Sequence, residues 1–536
     1  MHWIFLLAAL PFTAVAGTQP SVTIENGTVL GVDLPQFDQS IFLGIPYAQP
    51  PVGDLRLRTP RSIKETTKVF WEWFRFLRNV HAGYTLPSNI CTGQMNLWKY
   101  KNDNSGFNNS EDCLTLNVIR PDGVSESSLV PVVVWIHGGG LVTGGSADFH
   151  YNGSWIVQAS GANGNPIVFV SINYRLASLG FLASKALEDE GSLNLGVRDQ
   201  RLALHWVQEN IAKFGGNPEK VTIQGQSVHT QIIVYGGRDD KLFNQAICES
   251  GDGGNFSLPD SEPFQATYDA LLGNTTCAST ANLSEAAQLS CIRSLPIETF
   301  RENLVGTTGI VFDGDFINVA GAVEAYTTGK WVKVAFLIGS CTDEGLRDTI
   351  LDLYPNDPSL GCPFNTGDFQ LDPVQNGFFS TPGLQNKRVS AITGDVIMAA
   401  GPRWLGQLIS SQVPFYKYRF NHKPYSVTFS VEDFIGHFTE VGYVFNTQNN
   451  DTDFWLTNHF TATYLGSSAP IEDRFLGVYM SRSWASFIAT GDPNNVRGVP
   501  SKITWPKYSD GQENLVWQTQ GSITEKDVSS MVWDRF

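Results

Sequence analysis

The order strand, helix, strand in the middle of the chain is the feature that most restricts its fold. The apolar run from Ile167 to Tyr174 and the β-branched run from Val221 to Ile223 are typical of buried strands. Between them, apolar residues recur at helical spacing from Val197 to Phe214, and Gly215 ends that helix. Because parallel strands need a crossover connection of this kind, the pattern predicts an α/β core with a mostly parallel sheet flanked by helices.

Further apolar runs extend the predicted sheet towards both ends of the chain. An early β-hairpin is expected from Ser21–Ile24 and Thr28–Val32, and Pro and Gly predict an irregular loop from Phe42 to Gly53. No internal repeat or Pro/Ser-rich linker divides the chain, so we expect one domain over residues 17–536. The other predicted strands are Leu114–Ile119, Val130–Ile136, Val334–Ile338 and Phe415–Phe420.

Ser227 follows the strand that begins at Val221 and precedes a segment that can start a helix. The stretch Gly225-Gln-Ser-Val-His229 matches the pattern G-x-S-x-G except at its last position. A serine on a tight strand-to-helix turn exposes its hydroxyl for attack on a carbonyl carbon. The second glycine normally lets the helix cross close to the strand, so the imidazole of His229 has to be accommodated by a shift of the turn. A misplacement of ~1 Å can cost ~10²-fold in rate.

A serine nucleophile needs a base that takes its proton and an acid that orients the base. In hydrolases with this kind of serine, the acid precedes the histidine in the chain. Glu344 follows the predicted strand Val334–Ile338, at a strand end where α/β sites are built. His437 comes later, in a loop directly after a glycine. The late histidines His422 and His459 lack this small-residue context.

A glycine run follows the predicted strand Val130–Ile136 and supplies a second, independent signal. It reads His137-Gly-Gly-Gly140. Without side chains, the amides of such a run can point at a developing oxyanion, and one such donor contributes ~2.7–4 kcal/mol to barrier lowering. A strand leading directly into this run is much more specific than glycines alone.

Taken together, these stretches resemble the type-B carboxylesterases and lipases, the cholinesterase-like branch of the α/β-hydrolase fold. The resemblance implies Ser227 as nucleophile, Glu344 as acid and His437 as base. It also implies oxyanion donors at the amides of Gly139, Gly140 and Val228. Further matching stretches are Phe42–Ala48, Pro50–Gly53, Ser110–Val118, Asn173–Arg175, Asp199–Leu204, Trp206–Ala212, Phe214–Pro218, Asp343–Gly345 and Trp484–Phe487.

Three departures from the family pattern concern the expected site and its surroundings. His229 replaces the second elbow glycine, and only eight residues separate Ser227 from Gly236, so the following helix is about one and a half turns short. Either a variant elbow or a small internal deletion in the sequence accounts for this. Gly436 directly precedes His437, where the family has G-x-x-H. Residues 62–88 do not follow the family. Within them, the apolar face of Phe70–Leu77 suits a core helix; a mistranslated stretch and a lipid-facing flap helix are the alternatives.

The N-terminus and the glycosylation motifs predict secretion. Residues 1–16 combine an apolar run with the small-residue cleavage site Ala14-Val-Ala16, which is typical of a signal peptide; a buried N-terminal strand is the alternative. No later stretch is long and apolar enough to span a membrane. The N-x-[ST] acceptors are Asn26, Asn108, Asn152, Asn255, Asn274, Asn282 and Asn450.

Seven cysteines in a secreted chain leave at least one thiol without an intramolecular partner. We expect disulfides between Cys91 and Cys113 and between Cys277 and Cys291. The family resemblance supports the first, which closes a loop that forms the lid in lipases of the family. Cys248 lies in an apolar run and is expected to be a buried thiol, whereas a Cys341–Cys362 pair stays open.

The charge composition restricts which binding partners the chain can have. The chain has 36 basic and 52 acidic residues and a formal charge of −16, which argues against nucleic acid or an anionic membrane as the main partner. No metal or organic cofactor is implied, and the expected substrate is a small-molecule or lipid carboxylic ester. The rival hypothesis is a non-catalytic binding protein that kept the fold and lost its triad, and a protease of similar fold is a third.

Overall fold

The computed structural model describes residues 19–63, 90–92, 109–225, 228–249, 257–303, 308–341, 398–424, 435, 438–447, 469–499 and 503–527. The signal-peptide stretch and the segment Phe70–Leu77 lie outside these ranges. The strands, in chain order, are β1 Ser21–Ile24, β2 Gly27–Leu30, β3 Val32–Leu34, β4 Gln39–Pro46, β5 Ile90–Cys91, β6 Asn109–Ser110, β7 Thr115–Pro121, β8 Val130–Ile136, β9 Val168–Ile172, β10 Gly216–Gly225, β11 Gln245–Cys248, β12 Ala335–Cys341, β13 Phe415–Phe420, β14 Glu513–Trp517 and β15 Ile523–Lys526.

The helices are numbered separately in chain order. They are α1 Gly153–Asn163, α2 Ala177–Phe181, α3 Lys185–Asp189, α4 Leu195–Asn210, α5 His229–Gly237, α6 Gln265–Gly273, α7 Glu285–Ser294, α8 Ile297–Glu302, α9 Ala322–Thr327, α10 Ala400–Ile409, α11 Val441–Val444 and α12 Ile471–Thr490. Short 3₁₀ turns occupy Gly53–Leu55, Phe149–Tyr151, Ile211–Phe214, Glu262–Phe264, Thr276–Thr280 and Tyr508–Asp510.

A central sheet of eleven strands organises the described residues. Its order is β15, β14, β13, β12, β11, β10, β8, β9, β7, β4, β3. From β9 through β8 to β14 the neighbouring strands are parallel, and antiparallel pairs occur only towards the two edges. This confirms the predicted α/β class with a large, mostly parallel sheet.

Side-chain alternation along the strands divides the core into two layers, one on each face of the sheet. Along β8, Val132, Val134 and Ile136 pack on the face covered by α4 and α5. Val133 and Trp135 pack on the opposite face, under α1 and α12. Because both faces are covered, these strands are apolar on both sides, which is why they appear in the sequence as continuous apolar runs.

The strand predicted at Val130–Ile136 and that at Phe415–Phe420 agree with the structure residue for residue. The hairpin is also present, although its second strand is Gly27–Leu30 and a separate strand starts at Val32. The irregular loop predicted from Phe42 to Gly53 starts only at Tyr47, because β4 continues to Pro46. A register shift between Phe42 and Ile45 accommodates Gly44, whose N–H donates to Asn117 Oδ1 at 2.9 Å, so the glycine serves a bulge within the strand.

A smaller apolar cluster lies beside the sheet, where α6, α7 and α8 pack together. Cys277 lies in this cluster and forms a disulfide with Cys291, which packs against it. A second disulfide links Cys91 to Cys113. Cys248 is fully buried at the end of β11, as expected. Among the described residues, no helix is long and apolar enough to cross a membrane.

Four of the seven predicted glycosylation sites lie in the described ranges. Asn274 and Asn282 are exposed, and Asn26 and Asn152 are partly exposed. The side chain of Asn152 caps α1, since its Oδ1 accepts the N–H of Ser154 at 3.0 Å. The remaining three, Asn108, Asn255 and Asn450, lie outside the described residues.

Candidate active site

The strands that precede the predicted catalytic segments end at one edge of the sheet. In the register of the sheet, Ile136 of β8 lies beside Gly225 of β10, which lies beside Cys248 of β11. Cys248 lies beside Ile338 of β12, which continues to Cys341 alongside β13. Because these strands are parallel, the glycine run after Ile136 and the elbow after Gly225 leave the sheet at the same edge.

The side chains of Ser227, Glu344 and His437 lie outside the described residues, so their roles stay predictions. Their chain neighbours are described. Ser227 comes two residues after Gly225, Glu344 three residues after Cys341, and His437 directly before Phe438.

Gly225 ends β10 in a conformation that other residues rarely adopt, with φ at 154°. A Cβ atom at this position would lie 1.9 Å from the carbonyl oxygen of Ile136. Since no real Cβ approaches an oxygen so closely, the turn before Ser227 requires glycine here. The carbonyl of Gly225 also accepts the N–H of Glu249 at 3.0 Å, which ties the turn to the end of β11.

His229, the residue in place of the second glycine, is buried at the start of α5 and is 2% exposed. Its Nδ1 lies 3.2 Å from the hydroxyl of Tyr326 on α9, and burial lowers the pKa of its imidazole to about 4. The ring is therefore neutral at neutral pH and packs as a core side chain. α5 keeps helical angles only as far as Ile233, because Val234 is extended and Tyr235 has a φ of 51°. This matches the expectation of a short helix after the elbow.

Val228 lies at the N-terminal end of α5 and is fully buried. The first amides of a helix have no intrahelical acceptor, and the helix dipole favours negative charge beside them. The role of the Val228 amide as the third oxyanion donor stays a prediction.

The glycine run after β8 forms a tight loop with left-handed backbone at Gly139 (φ 112°) and Gly140 (φ 61°). The carbonyl of Gly139 accepts the N–H groups of Val142 and Thr143, each at 3.1 Å. Within the part of the chain that is described, the N–H groups of Gly139 and Gly140 donate to no backbone carbonyl. Backbone amides of this kind are the donors that oxyanion holes use, and the assignment of Gly139 and Gly140 to that role stays a prediction.

The buried side chain of His137 packs beneath the glycine loop, on the side of Tyr174. Its ring stacks on Tyr174 with 4.4 Å between centroids, and the Tyr174 hydroxyl donates to the His137 carbonyl at 2.8 Å. Burial lowers the pKa of His137 to about 4, so the ring is neutral at neutral pH. Tyr174 was not among the predicted site residues, although it stands at the end of a predicted strand.

Phe438, directly after His437, has a left-handed backbone with a φ of 75°, which is unusual for a bulky residue. Its ring packs edge-on against His150 and Tyr151, at centroid distances of 5.5 and 6.3 Å. His150 in turn contacts the carboxylate of Asp148 at 2.6 Å. Phe438 is thereby held against the segment that follows the glycine loop, a contact with no signal in the sequence.

No cluster of three or more His, Cys, Asp or Glu side chains suited to a metal ion occurs among the described residues.

A model of the carboxylesterase family matches residues 18–358 and 379–530 of the chain. Secreted lipase 1 of Botryotinia fuckeliana (strain B05.10) is 30% identical over 594 residues, covering 98% of this chain and 92% of that protein. Lipase 2 of Diutina rugosa is 32% identical over 458 residues, covering 74% of this chain and 79% of that protein. The crystal structure of Aspergillus niger EstA is similar with a TM-score of 0.71 at 26% identity, covering 96% and 97% of the two chains. This similarity along the whole chain confirms the predicted α/β-hydrolase fold.

Proposed function

Since this chain belongs to the carboxylesterase family and is a carboxylic ester hydrolase, we propose that it cleaves its esters by a serine mechanism with Ser227 as nucleophile, Glu344 as acid and His437 as base. The observation that carries the proposal is the common sheet edge at which β8, β10 and β12 end. The glycine run, Ser227 and Glu344 follow these three strands, and His437 comes later in the chain, so the order serine, acid, histidine is that of such hydrolases.

In the proposed reaction, the Ser227 hydroxyl attacks the acyl carbonyl carbon while His437 accepts its proton. The tetrahedral oxyanion is stabilised by the amides of Gly139, Gly140 and Val228. When the C–O bond to the leaving group breaks, His437 gives the proton to the departing alcohol. Water then attacks the acyl-enzyme by the same route and releases the carboxylic acid. The substrate is a small-molecule or lipid ester.

The proposal includes export of the protein. Residues 1–16 have the pattern of a signal peptide. Relatives with about 30% sequence identity are named secreted lipases. The two disulfides support it, because disulfides persist in oxidising compartments. Asn274 and Asn282 are exposed and are the acceptors most accessible to glycosylation.

Covalent labelling tests the mechanism directly. A fluorophosphonate probe is expected to modify the purified protein at one residue, and peptide mass spectrometry is expected to locate the adduct on Ser227. Heat-denatured protein is the control, since an activated serine exists only in the folded chain. A folded protein that hydrolyses no p-nitrophenyl ester and takes no probe would instead support the non-catalytic binding protein.

Gly139→Ala is expected to lower kcat by ~10²–10³-fold, the loss typical of one oxyanion donor. The added Cβ would lie 2.2 Å from the carbonyl oxygen of Thr143, so the loop has to move and its amides shift. The measurement is steady-state hydrolysis of a p-nitrophenyl ester.

Two further alanine substitutions serve as controls for this prediction. At Gly140 the nearest atom to an added Cβ is 3.9 Å away, so Gly140→Ala should lose less activity than Gly139→Ala, chiefly through its left-handed backbone. Gly161 lies in α1 with no atom within 4 Å of an added Cβ, and Gly161→Ala should leave kcat unchanged. Equal kcat in Gly139→Ala and Gly161→Ala would remove the loop from the proposed oxyanion site.

A further inference from the structure

The glycine loop after β8, residues 137–146, is held at both of its ends by the β9–α2 segment, residues 171–177. At the start of the loop, the Tyr174 hydroxyl donates to the His137 carbonyl at 2.8 Å. At its end, the Ser146 N–H donates to Asn173 Oδ1 at 2.8 Å. The Ser146 carbonyl also accepts the Ser171 hydroxyl at 3.0 Å. Three side chains from one short segment therefore fix where the loop begins and where it ends.

The middle of the glycine loop is attached to the same segment through the backbone. The N–H of Ala177 donates to the carbonyl of Leu141 at 2.7 Å. Both residues have a left-handed backbone, with φ at 48° for Ala177 and 65° for Leu141. Residues other than glycine keep such conformations only where the surrounding structure imposes them, and they cluster at functional sites. The contacts with the β9–α2 segment thus impose the shape of the loop.

The β9–α2 segment is itself anchored in the core. The Arg175 guanidinium donates to both carboxylate oxygens of Asp199 on α4, at 2.7 and 2.8 Å, and the Arg175 N–H donates to the same carboxylate at 3.0 Å. The N–H of Asn173 donates to the carbonyl of Thr115 on β7 at 3.0 Å. All four residues are buried. The segment is therefore a fixed support for the loop that it contacts.

A buried amide, that of Asn117 on β7, strengthens the attachment at the end of the loop. Its Nδ2 donates to the hydroxyl oxygens of Ser146 and Ser171, each at 3.1 Å. Its Oδ1 accepts the Gly44 N–H at 2.9 Å. Buried polar groups that are hydrogen-bonded in this way fix one arrangement of the elements they join. Here they join β4 and β7 to β9 and to the end of the glycine loop.

The amides of Gly139 and Gly140 lie between these attachment points in the chain. The loop also closes tightly on itself, since a Cβ atom at Gly144 would lie 2.6 Å from both the Gly138 carbonyl oxygen and His137 Nδ1. Donors to an oxyanion are effective when they are oriented before the reaction starts, because no reorganisation is then needed as the charge develops. The support of the loop is thus the source of this orientation.

We propose that Ser171, Asn173 and Tyr174 are positioning residues that hold the glycine loop, and with it the amides of Gly139 and Gly140, in the orientation that binds an oxyanion. They act on the reaction through the loop, by fixing its two ends. This positioning role rests on the proposed function, whereas the attachment of the loop to the β9–α2 segment does not.

Tyr174→Phe removes one hydroxyl and keeps the ring that stacks on His137. The variant is expected to lower kcat by about 10- to 100-fold at unchanged KM, because the start of the loop loses its attachment and the amides shift. Tyr479→Phe is the matched control. The Tyr479 hydroxyl is also buried and donates to a backbone carbonyl, that of Ile503 at 3.0 Å, but it lies on the opposite face of the sheet. The control should keep kcat to within about 3-fold of the wild type.

Ser171→Ala removes the donor at the other end of the loop with little change in volume, and the same loss of kcat is expected. Activity on a p-nitrophenyl ester is expressed per active site counted by fluorophosphonate titration, so unfolded protein does not contribute. A trifluoromethyl ketone, whose tetrahedral adduct with a serine carries the oxyanion, should bind both variants more weakly, by about the factor by which kcat/KM falls. Wild-type kcat per active site in both variants, or an equal loss in Tyr479→Phe, would overturn the positioning role.

Hydrogen exchange tests the attachment of the loop without an activity assay. The N–H groups of Val142 and Thr143 donate to the Gly139 carbonyl inside the loop, so they report whether the loop opens. In Tyr174→Phe and Ser171→Ala, exchange measured by mass spectrometry on peptides covering residues 137–146 should be about fivefold faster than in the wild type and in Tyr479→Phe. Equal exchange in all four proteins would overturn the attachment.

Failure of the proposed serine mechanism looks different from failure of this inference. In the first case the wild type would neither hydrolyse esters nor take the fluorophosphonate probe. In the second case the wild type is active and Tyr174→Phe is equally active. The exchange comparison confirms or refutes the attachment in either case. If Tyr174→Phe does not fold, Ser171→Ala supplies both the kinetic and the exchange measurement.

Discussion

Replacing Ser227 by alanine is expected to lower kcat for ester hydrolysis by at least ~10⁴-fold, and by up to ~10⁶-fold where the residual rate is small. The hydroxyl is the only group proposed to form the acyl-enzyme, so its loss removes the covalent route. The remaining rate comes from the oxyanion donors and from binding, which persist without the nucleophile. The measurement is steady-state hydrolysis of a p-nitrophenyl ester, with active sites counted by fluorophosphonate titration.

The same variant also tests whether the loss of activity comes from a disturbed fold around the nucleophile turn. Alanine is smaller than serine and introduces no clash, so the denaturant midpoint of Ser227→Ala is expected to match that of the wild type. Loss of both activity and probe uptake with unchanged stability assigns the chemistry to this hydroxyl. Activity retained in Ser227→Ala would mean that another residue is the nucleophile and would end the proposed mechanism.

The central sheet was predictable because buried parallel strands are recognisable in the sequence by their apolar and aromatic composition. The run Val130–Ile136 is apolar on both faces, and Phe415–Phe420 is rich in aromatic residues, so the existence and the bounds of both strands followed from the sequence. The helix from Val197 was predictable for a similar reason, since its apolar spacing and the following Gly215, with a φ of 88°, mark its face and its end.

What could not be predicted depends on contacts between distant segments. Proline and glycine near Phe42 indicated a loop, but Gly44 serves a bulge that is satisfied by Asn117, a residue more than seventy positions away. Likewise, His229 suggested a steric conflict at the elbow. Whether a buried imidazole is tolerated depends on Tyr326, which the sequence alone does not place beside it.

The buried carboxyl group of Glu249 shows the same limit. Its sequence context, an apolar strand followed by Glu249, favours a strand end and says nothing about its partners. The partners come from β10, β13 and α12, and only the folded sheet brings Gln224, Tyr418 and Trp484 together around it. A buried group of this kind carries no motif, because its contacts depend on which segments the fold brings together.

Glu344→Gln is expected to lower kcat by ~10⁴-fold while leaving the fold intact, the loss typical of an amide in place of the triad carboxylate. The carboxylate is proposed to hold the His437 ring in the tautomer that accepts the Ser227 proton and to stabilise the imidazolium that follows. A glutamine of nearly the same shape presents an uncharged amide, which favours the wrong tautomer and no longer balances the positive charge. β12 ends at Cys341, whose thiol donates to Glu440 Oε2, so the start of this segment is anchored by residues other than Glu344 and no large rearrangement is expected.

The neighbouring carboxylate provides the matched control, because Asp343 lies in the same loop one residue before Glu344. Asp343→Asn removes the same charge from nearly the same place, so it should cost little activity if the effect is specific to the acid of the triad. The comparison is kcat and KM of both variants over pH 5 to 9, with unfolding midpoints to confirm intact protein. A ~10⁴-fold loss in both variants would point to the charge of the loop as a whole. A large loss in Asp343→Asn alone would transfer the role of the acid to Asp343, because only the residue that touches the imidazole controls its tautomer.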